Sequence, residues 1–444
     1  MVQLESEKGA SEIMPTALYI NRRGNYSVGQ NAITSYLHGE AGRTVRLVKE
    51  HTGEISITVA GTESSPGSRS DDGAITFTAH THAFTDQGMK GRLFRSLKRW
   101  LGSSGVDRIR VFDESRSMVD LISLILSHMK KKAERTLGGH FDSIYIGRPV
   151  HFEGGSHETN EIALQRLRAA CKKAGIHSIV PYPEPVAASL SFLHAQQLKS
   201  NQVILTFDFG GGTLDLCVLK ANGNAFEILA VHGAAIGGDE IDRLIYRKKI
   251  FPELGEGCSL PIEAGTRPAP FPFHSFANGL LNWQLTCELN RPDLRGEIAQ
   301  GIQFGGEIEK KLTRLKKLIY HNLSYIVFQA VERAKIELTF KDTAIIHVSE
   351  IDLSVKISRV EFENFMSETL DEIEVCVREV LEKAGISAKD VDLLVCTGGS
   401  SKIPVVRQRL EKIIPQHIIE HRTFTSIAAG LAIANFQKYT SPLE

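Results

Sequence analysis

Hydrophobic residues occur in short blocks along the chain, and the spacing within each block predicts strands or helices. A five-residue apolar run at 203–207, β-branched at its start, predicts a buried strand. Apolar residues at three- and four-residue steps over 117–135 predict an amphipathic helix. The longest helical pattern covers 307–340 and is interrupted near Asn322. Because strands and helices alternate from about residue 144 onward, the pattern predicts an α/β architecture.

Two segments lack either periodicity. Residues 61–73 are rich in Ser and Gly and predict a loop insertion. Residues 255–279 contain four prolines at 261, 268, 270 and 272 together with aromatic residues, and predict an ordered loop excursion.

One short pattern occurs twice. Residues 186–192 read VAASLSF and residues 427–433 read IAAGLAI, so each copy has a β-branched residue, two alanines, a small residue and leucine. Small residues allow two helices to approach closely. The repeat therefore predicts a duplicated fold whose two copies of this helix cross at a hinge. Chance similarity between two alanine-rich helices explains the pattern equally well.

Composition narrows the classes of function. With 444 residues the chain can hold two or more domains. Lys plus Arg and Asp plus Glu both number 52, so net charge gives no reason to expect a nucleic-acid or membrane partner. No apolar run reaches a membrane span, and the first residues are too polar for a secretory signal. The six cysteines form no Cys-x-x-Cys pair, which indicates thiols in a reducing compartment and predicts a cytoplasmic protein.

The predicted strand at 203–207 runs into Asp208-Phe-Gly-Gly-Gly-Thr213-Leu-Asp215, and apolar strand residues then resume. Glycines let a ligand approach the backbone without meeting a Cβ, and successive N–H groups in such a turn bind anions. Asp208 at the strand end can hold Mg²⁺ through the water shell of the ion. The stretch is therefore typical of a strand–turn–strand phosphate loop, although an ordinary glycine-rich hairpin has the same local pattern.

Two more glycine turns follow apolar strands and precede helices. They contain Gly237 and Gly238, and Gly398, Gly399 and Ser400. Amide groups and the helix dipole at such a turn favour phosphate. Each turn is common by itself, but three in one chain, with Asp208 beside the first, predict nucleotide binding.

Single charged positions add candidates. Glu332, Lys335 and Thr339 share one face of a predicted helix and can contact a ribose and a purine edge, or simply form an exposed polar face. Glu184 lies at a strand–helix junction. A carboxylate there can orient water or join a metal shell, or it can simply be stabilised by the dipole of the following helix. Lys98 can bind phosphate or be one charge of a basic stretch.

These motifs occur in a family-specific order. They read Glu184-Pro-Val-Ala-Ala, Asp208-Phe-Gly-Gly-Gly-Thr213-Leu-Asp215, Gly237-Gly238-Asp239-Glu240-Ile-Asp242, Glu332-Arg-Ala-Lys335-Ile-Glu-Leu-Thr339 and Gly398-Gly399-Ser400. The order resembles the ATPase domain of the DnaK-type heat-shock protein 70 chaperones over roughly residues 15–436. Within that family the chain looks most similar to the short, YegD-like branch.

The resemblance implies an actin-like (ribonuclease-H-like) fold of two duplicated α/β lobes. Lobe I would cover 1–199 and lobe II 200–444, with a C-terminal helix that returns to lobe I. ATP or ADP and Mg²⁺ would lie in the cleft, and closure of the lobes around the nucleotide would act on a protein partner or client.

The resemblance also implies a role for each candidate. The phosphate and metal group would be Asp208 on the metal shell, Gly210, Gly211, Gly212 and Thr213 on the β- and γ-phosphates, Gly237 and Gly238 nearby, and Lys98 and Glu184 on the attacking water. The nucleoside group would be Glu332, Lys335 and Thr339, with Gly398, Gly399 and Ser400 opposite, and Lys402 where the family has an arginine against the adenine. A lysine stacks on a base less well than a guanidinium.

The sequence also departs from the family. We find no match to the glycine-containing hairpin with which the family begins, and 14 residues follow Gly430, too few for a peptide-binding β-sandwich. Two hypotheses follow: an ATP-binding chaperone ATPase without a peptide-binding domain, or a degenerate scaffold that binds a partner protein and hydrolyses nothing. A kinase for a small molecule is a third reading, without a catalytic aspartate to support it.

Overall fold

The computed structural model describes residues 13–59, 75–103, 108–152, 157–196, 201–222, 225–260, 268–421 and 423–438. The loop predicted at 61–73 lies outside these residues. No helix in the described ranges is long and apolar enough to cross a membrane.

The N-terminal part of the structure comprises residues 13–196. Its strands are β1 (Ala17–Asn21), β2 (Tyr26–Val28), β3 (Leu47–Val59), β4 (Ile75–Asp86), β5 (Gly91–Arg95), β6 (Arg108–Val111), β7 (Glu114–Ser117), β8 (Ser143–Arg148) and β9 (Ser178–Pro183). Its helices are α1 (Gln30–Gly39), α2 (Met118–Leu137), α3 (His157–Lys173) and α4 (Glu184–Ala195), with a 3₁₀ helix at Leu97–Gly102.

Antiparallel pairs dominate this part, and β8 with β9 is its parallel pair in the described ranges. The predicted helix at 117–135 is confirmed as α2. It begins at Ser117, whose hydroxyl accepts a hydrogen bond from the Asp120 N–H at 3.1 Å, while the Asp120 carboxylate accepts from the Ser117 N–H at 2.7 Å. The apolar face of α2, including Leu121, packs against Leu18 and Ile20 of β1.

The C-terminal part comprises residues 201–438. Its strands are β10 (Val203–Phe209), β11 (Leu214–Asn222), β12 (Ala225–Ala234), β13 (Ser259–Leu260), β14 (Ala269–Pro270), β15 (Thr343–Val348), β16 (Leu353–Ser358), β17 (Leu393–Thr397) and β18 (His417–Glu420). Its α-helices are α5 (Gly238–Ile245), α6 (His274–Leu280), α7 (Pro292–Ile302), α8 (Gly306–Tyr320), α9 (Ser324–Phe340), α10 (Arg359–Phe365), α11 (Ser367–Lys383), α12 (Pro404–Ile413) and α13 (Ser426–Phe436). A π-helical turn spans Tyr246–Ile250, and 3₁₀ turns span Phe251–Leu254, Thr286–Asn290, Ser349–Ile351, Ala388–Asp390 and Gly399–Lys402.

A five-stranded mixed sheet organises this part, in the order β12-β11-β10-β17-β18. The central strand β10 runs antiparallel to β11 and parallel to β17. Asp208 near its end therefore lies opposite Asp215 on one side and Thr397 on the other. Helices cover the sheet and bury its Leu and Phe side chains, so the predicted α/β architecture is confirmed.

Two expectations about helices had different outcomes. The long helical pattern is interrupted as predicted: α8 and α9 are separated at Asn322, which has a φ of 49°. The loop expected over 255–279 is partly wrong, because 274–280 form α6. Phe273, Phe276 and Leu280 recur on one face and are buried there, which favours a helix despite the preceding prolines. Residues 261–267 of that segment lie outside the described ranges.

The two helices that carry the repeated sequence pattern pack against each other. A Cβ added to Gly430 of α13 would lie 1.7 Å from the carbonyl oxygen of Ala187 in α4, so the two backbones are nearly in contact. Since α13 also contacts β8, the last helix of the chain joins the C-terminal part to the N-terminal part.

Candidate nucleotide site

The glycine turn at 210–212 connects β10 to β11 as a tight hairpin. The N–H of Gly210 donates to the carbonyl oxygen of Thr213 at 3.0 Å. The amide groups of Gly211 and Gly212 have no acceptor within the described part of the chain. These two N–H groups are therefore available to an anion.

The second turn fits into the first. A Cβ on Gly237 would lie 2.4 Å from the carbonyl oxygen of Gly211. The N–H of Gly238 donates to the Gly210 carbonyl at 3.1 Å, and the N–H of Asp239 donates to the Gly211 carbonyl at 2.7 Å. None of Gly210, Gly211 and Gly212 has a positive φ, so unusual dihedrals do not explain the three glycines. Close approach of another turn gives one reason for the glycine at 237.

The third glycine turn follows β17 and lies beside the first turn. Gly398 has a φ of 81°, and a Cβ there would lie 2.3 Å from the carbonyl oxygen of Phe209. The hydroxyl of Ser400 donates to the Gly210 carbonyl at 2.9 Å. The three glycine turns recognised in the sequence thus meet at the end of β10.

An acidic group lies beneath the turns. Asp208 and Asp215 are buried side by side, with 7% and 1% of their surface exposed. Burial, with further repulsion from Asp215 and Glu184, holds the pKa of Asp208 well above its usual range. Burial and Glu184 likewise raise the pKa of Asp215 to about 6, although its carboxylate accepts a hydrogen bond from the Val150 N–H at 2.7 Å. Burial and mutual repulsion therefore disfavour the ionised forms of both carboxyl groups.

Lys98 is the cation of this group, and it forms an ion pair with Glu184. Glu184 is the first residue of α4, directly after β9, as the sequence indicated. A Cβ on Gly147 of the neighbouring strand β8 would lie 3.0 Å from the Glu184 carboxylate, so glycine makes room for this side chain. Lys98 and Glu184 from the N-terminal part thus face Asp208 from the C-terminal part.

The predicted nucleoside residues lie on α9. The ammonium of Lys335 contacts the Asp242 carboxylate at 2.8 Å and the Gly238 carbonyl at 3.0 Å. Burial raises the pKa of Asp242 to about 7 despite this lysine. The Glu332 carboxylate lies 3.9 Å from the Arg95 guanidinium. The hydroxyl of Thr339 donates back to the Lys335 carbonyl at 3.4 Å.

A cleft of about 180 Å³ separates the two parts beside this helix. Its lining includes Arg95 and Trp100 on one side and Asp242 and Glu332 on the other. A larger cavity of about 580 Å³ lies between Arg22 and Trp283, and none of the predicted site residues lines it.

Lys402 lies beyond the third turn. Its ammonium is 3.9 Å from the carboxylate of Glu420, which also contacts Arg407 at 3.5 Å. Gly399 faces a neighbouring aromatic side chain, Phe424, rather than the acidic group. The structure therefore brings the phosphate candidates together tightly and leaves Lys402 and Thr339 at the periphery.

Comparison with known proteins identifies the family of this chain. Residues 102–252 and 315–434, more than half of the chain, match the family model described as Hsp70 protein. The chain belongs to the Hsp70 family. Members of this family have an actin-like, two-lobed ATPase fold, so the predicted fold class is confirmed.

Individual Hsp70 relatives are distant. The chain is 25% identical over 329 residues to a chaperone protein DnaK of Mycoplasmopsis agalactiae, a match that covers 72% of this chain and 44% of that protein. It is 28% identical over 291 residues to a chaperone protein HscA homolog of Shewanella denitrificans, covering 65% of this chain and 36% of that one. The chain spans less than half the length of these relatives.

Several residues around the three glycine turns were not among the candidates that the sequence suggested. The sequence did contain a signal for Asp215, because a second aspartate just after a tight hairpin must face the first. Asp242 also had one, since it lies one helical turn after Gly238. The sequence contained no signal for Arg95, because Glu332 is distant from it in sequence and only the tertiary fold brings the two residues together.

Proposed function

We propose that this chain binds ATP and ADP with Mg²⁺ in the cleft between its two lobes and is the ATPase domain of a chaperone-like Hsp70 protein. The observation that carries the proposal is the convergence of three glycine turns on the buried pair Asp208 and Asp215. Two free amide groups favour phosphate there. A cation beside it would favour the ionised form of the two carboxyl groups and offset the repulsion between them.

The carboxylates fit a hydrated Mg²⁺ ion. No three Asp, Glu, His or Cys side chains in the described ranges converge closely enough to ligate an ion directly. Asp208, with Asp215 and Glu184, would therefore hold the ion through its water shell, as Mg²⁺ often allows. The bound ion would offset charge on the phosphates.

The remaining roles follow from position. Gly210 to Thr213, with Gly237 and Gly238, would hold the β- and γ-phosphates. Lys98 and Glu184 would orient the attacking water. Glu332 and Lys335 would contact the ribose, Thr339 and Lys402 the base side, and Gly398 to Ser400 would line the opposite wall. In phosphoryl transfer such positioning and charge stabilisation supply most of the rate enhancement.

In this proposal lobe I comprises residues 1–199 and lobe II residues 200–444. The two lobes close around the nucleotide, and a client or partner protein responds to the closure. We place the protein in the cytoplasm and in the short YegD-like branch. Its free cysteines, five of them buried and Cys258 half-buried, agree with a reducing compartment.

Isothermal calorimetry with Mg-ADP and Mg-ATP tests nucleotide binding, and phosphate release tests turnover. We expect binding of both nucleotides, and in Lys98→Ala unchanged ADP affinity with lost phosphate release. Absence of ADP binding to the folded wild-type chain contradicts the proposal.

A non-hydrolysing scaffold is the second candidate. One observation favours it: among the described residues, the hairpin of β10 and β11 has no glycine-rich counterpart beside the parallel pair β8 and β9. This candidate predicts nucleotide binding without phosphate release, and partner binding that survives Asp208→Ala.

A further inference from the structure

An exposed aromatic residue lies beside the third glycine turn. Phe424 is 65% exposed, in the turn between β18 and α13. The N–H of Gly398 donates to the Thr423 carbonyl at 3.1 Å, and the hydroxyls of Thr397 and Ser426 hydrogen-bond at 2.7 Å. The turn that carries Phe424 is therefore attached on both sides of this residue to the end of β17.

The ring of Phe424 is directed at the glycine turn. A Cβ on Gly399 would lie 3.4 Å from Cε1 and 3.7 Å from Cζ of the ring, which are van der Waals distances, so the ring rim lies about one methyl group away from this glycine. Scattered exposed aromatic residues are normal on protein surfaces. Phe436, 88% exposed at the end of α13, is such a residue. Phe424 differs because hydrogen bonds attach its turn to the candidate site.

Residue 402, next to this turn, is a lysine and not an arginine. Lys402 has a compact ammonium, which lies near Glu420. A lysine offers no flat surface for a base. A phenyl ring does, and aromatic side chains stack on nucleobases of any kind.

We infer that Phe424 is the stacking surface for the base of the bound nucleotide, next to Gly399. This inference rests on the proposed nucleotide binding and assigns a residue to its base. Because stacking does not distinguish bases, Phe424 would add affinity for the nucleoside while the glycine turns hold the phosphates.

The test is calorimetry with Mg-ADP on the full chain. Phe424→Ala is expected to weaken ADP binding by roughly 5- to 100-fold, the range that loss of a base–aromatic stack produces. Phe424→Trp is expected to keep affinity within about threefold, and ADP should quench its additional tryptophan emission relative to wild type. Phe436→Ala is the matched control and should bind like wild type.

Each outcome decides a distinct point. If Phe424→Ala binds ADP like wild type, or if Phe424→Trp loses as much affinity as Phe424→Ala, Phe424 is not a stacking surface. If wild type itself binds no ADP, the proposed function fails first. Melting curves of all variants show whether a loss of affinity reflects a loss of fold.

Discussion

The carboxylate of Asp208 illustrates how a site can cost stability. It is buried beside Asp215 and Glu184, and Lys98 is the one cation near it in the described structure. A pKa held above the usual range means that the folded state binds the proton more tightly than the unfolded state does. The stabilisation is present while the group is protonated and is lost as pH rises through the folded pKa. At any pH above the usual carboxyl pKa, the raised pKa therefore costs folding stability, either because the folded chain must take up a proton or because it must bury the charge.

Asp208→Asn should remove this cost. We expect the variant to be more stable than wild type at pH 8 by about 1 to 2 kcal/mol, the usual gain when a strained functional group is neutralised. The gain should shrink as pH is lowered toward the usual carboxyl pKa, because the unfolded wild-type chain then also binds the proton. Thermal melting at pH 8 and pH 5 measures both.

The same substitution should abolish the Mg²⁺ dependence of ADP binding, since the amide carries no charge for the ion. Asp371→Asn, at an exposed position on α11, is the control and should change neither property. A variant less stable than wild type at pH 8 would show that Asp208 is compensated by groups that we have not identified.

Single residues also show what sequence can reveal about the site. The residues that lie beside Asp208 in its own hairpin could be predicted from the sequence, because a tight turn brings neighbours in sequence together. The ion pairs of Lys98 with Glu184 and of Lys335 with Asp242 were not readable from spacing, and only the family resemblance implied that Lys98 and Glu184 act on the same water. Their side chains meet across elements, and local periodicity carries no information on such distances.

At the scale of elements, the closest approach is the crossing of α4 and α13. The Gly430 backbone contacts that of Ala187, and any Cβ there meets main chain, which cannot rotate away. Overpacking in such a place typically costs about 1 to 3 kcal/mol.

Gly430→Ala should therefore lower the melting temperature and weaken ADP binding, because it forces α13 away from α4. Gly296→Ala is the matched control: Gly296 is also helical, but a Cβ there meets nothing within 4 Å. In an open helix interior alanine is more stable than glycine by about 0.5 to 1 kcal/mol. Opposite signs in the two melting curves are the expected result, and equal behaviour would contradict a tight crossing.

Elements were predictable where one pattern covered the whole element. The helix α2, the hairpin of β10 and β11 and the break at Asn322 all follow from apolar spacing and turn residues. The helix α6 did not, since prolines precede it and its apolar face becomes visible only when Phe273, Phe276 and Leu280 are seen buried together. The insertion of β17 beside β10 joins segments far apart in sequence, and only the family resemblance implied it.

At the scale of the whole molecule, contacts between the two parts surround the candidate site. The crossing of α4 and α13 lies on one side. On another, Tyr36 packs against Trp283 and Tyr325 with ring centroids 5.6 and 5.3 Å apart, and Asn322 donates to the Glu40 carbonyl at 3.0 Å. Trp283 and Tyr325 also line the cleft of about 180 Å³, so this second contact lies at the cleft itself.

A third contact contains two histidines. His232 on β12 accepts a hydrogen bond at Nδ1 from the Lys383 ammonium, 2.8 Å away, and its Nε2 lies 2.9 Å from the Glu379 carboxylate. An ammonium can only donate, so Nδ1 is unprotonated and this histidine is neutral. Burial and Lys383 lower its pKa, and Glu379 opposes them.

His151 approaches the same place from the N-terminal part. The Oδ1 of Asn160 accepts from the Phe152 N–H at 2.9 Å, so its Nδ2 must donate to Nδ1 of His151, 3.1 Å away. Burial, Lys383 and Arg148 lower the pKa of His151. Gly233, next to His232, lies close to all of these groups, because an added Cβ would lie 3.0 Å from the Val150 side chain, 3.1 Å from the Asp215 carboxylate and 3.5 Å from the His151 backbone nitrogen.

Both histidines therefore stabilise the joined molecule only while they are neutral. An unfolded histidine has a pKa near 6.5, so this stabilisation is complete above about pH 7 and is lost as pH falls through the lower folded values. Each proton changes the free energy of unfolding by at most about 1.4 kcal/mol per pH unit. The carboxyl groups with raised pKa, Asp215 at about 6 and Asp242 at about 7, act in the opposite direction.

The double variant His151→Asn, His232→Asn separates the two effects, because it keeps an acceptor for Lys383 and for Asn160 but cannot titrate. The carboxyl contributions are common to both proteins and cancel in the comparison. When the pH is lowered from 7.5 to 5.5, we expect the melting temperature of wild type to fall more, or rise less, than that of the double variant. His347→Asn, on the exposed side of β15, should follow wild type. Parallel pH profiles of wild type and the double variant would mean that the histidines stay uncharged, or titrate equally, in the folded and unfolded states, and that this contact does not depend on pH.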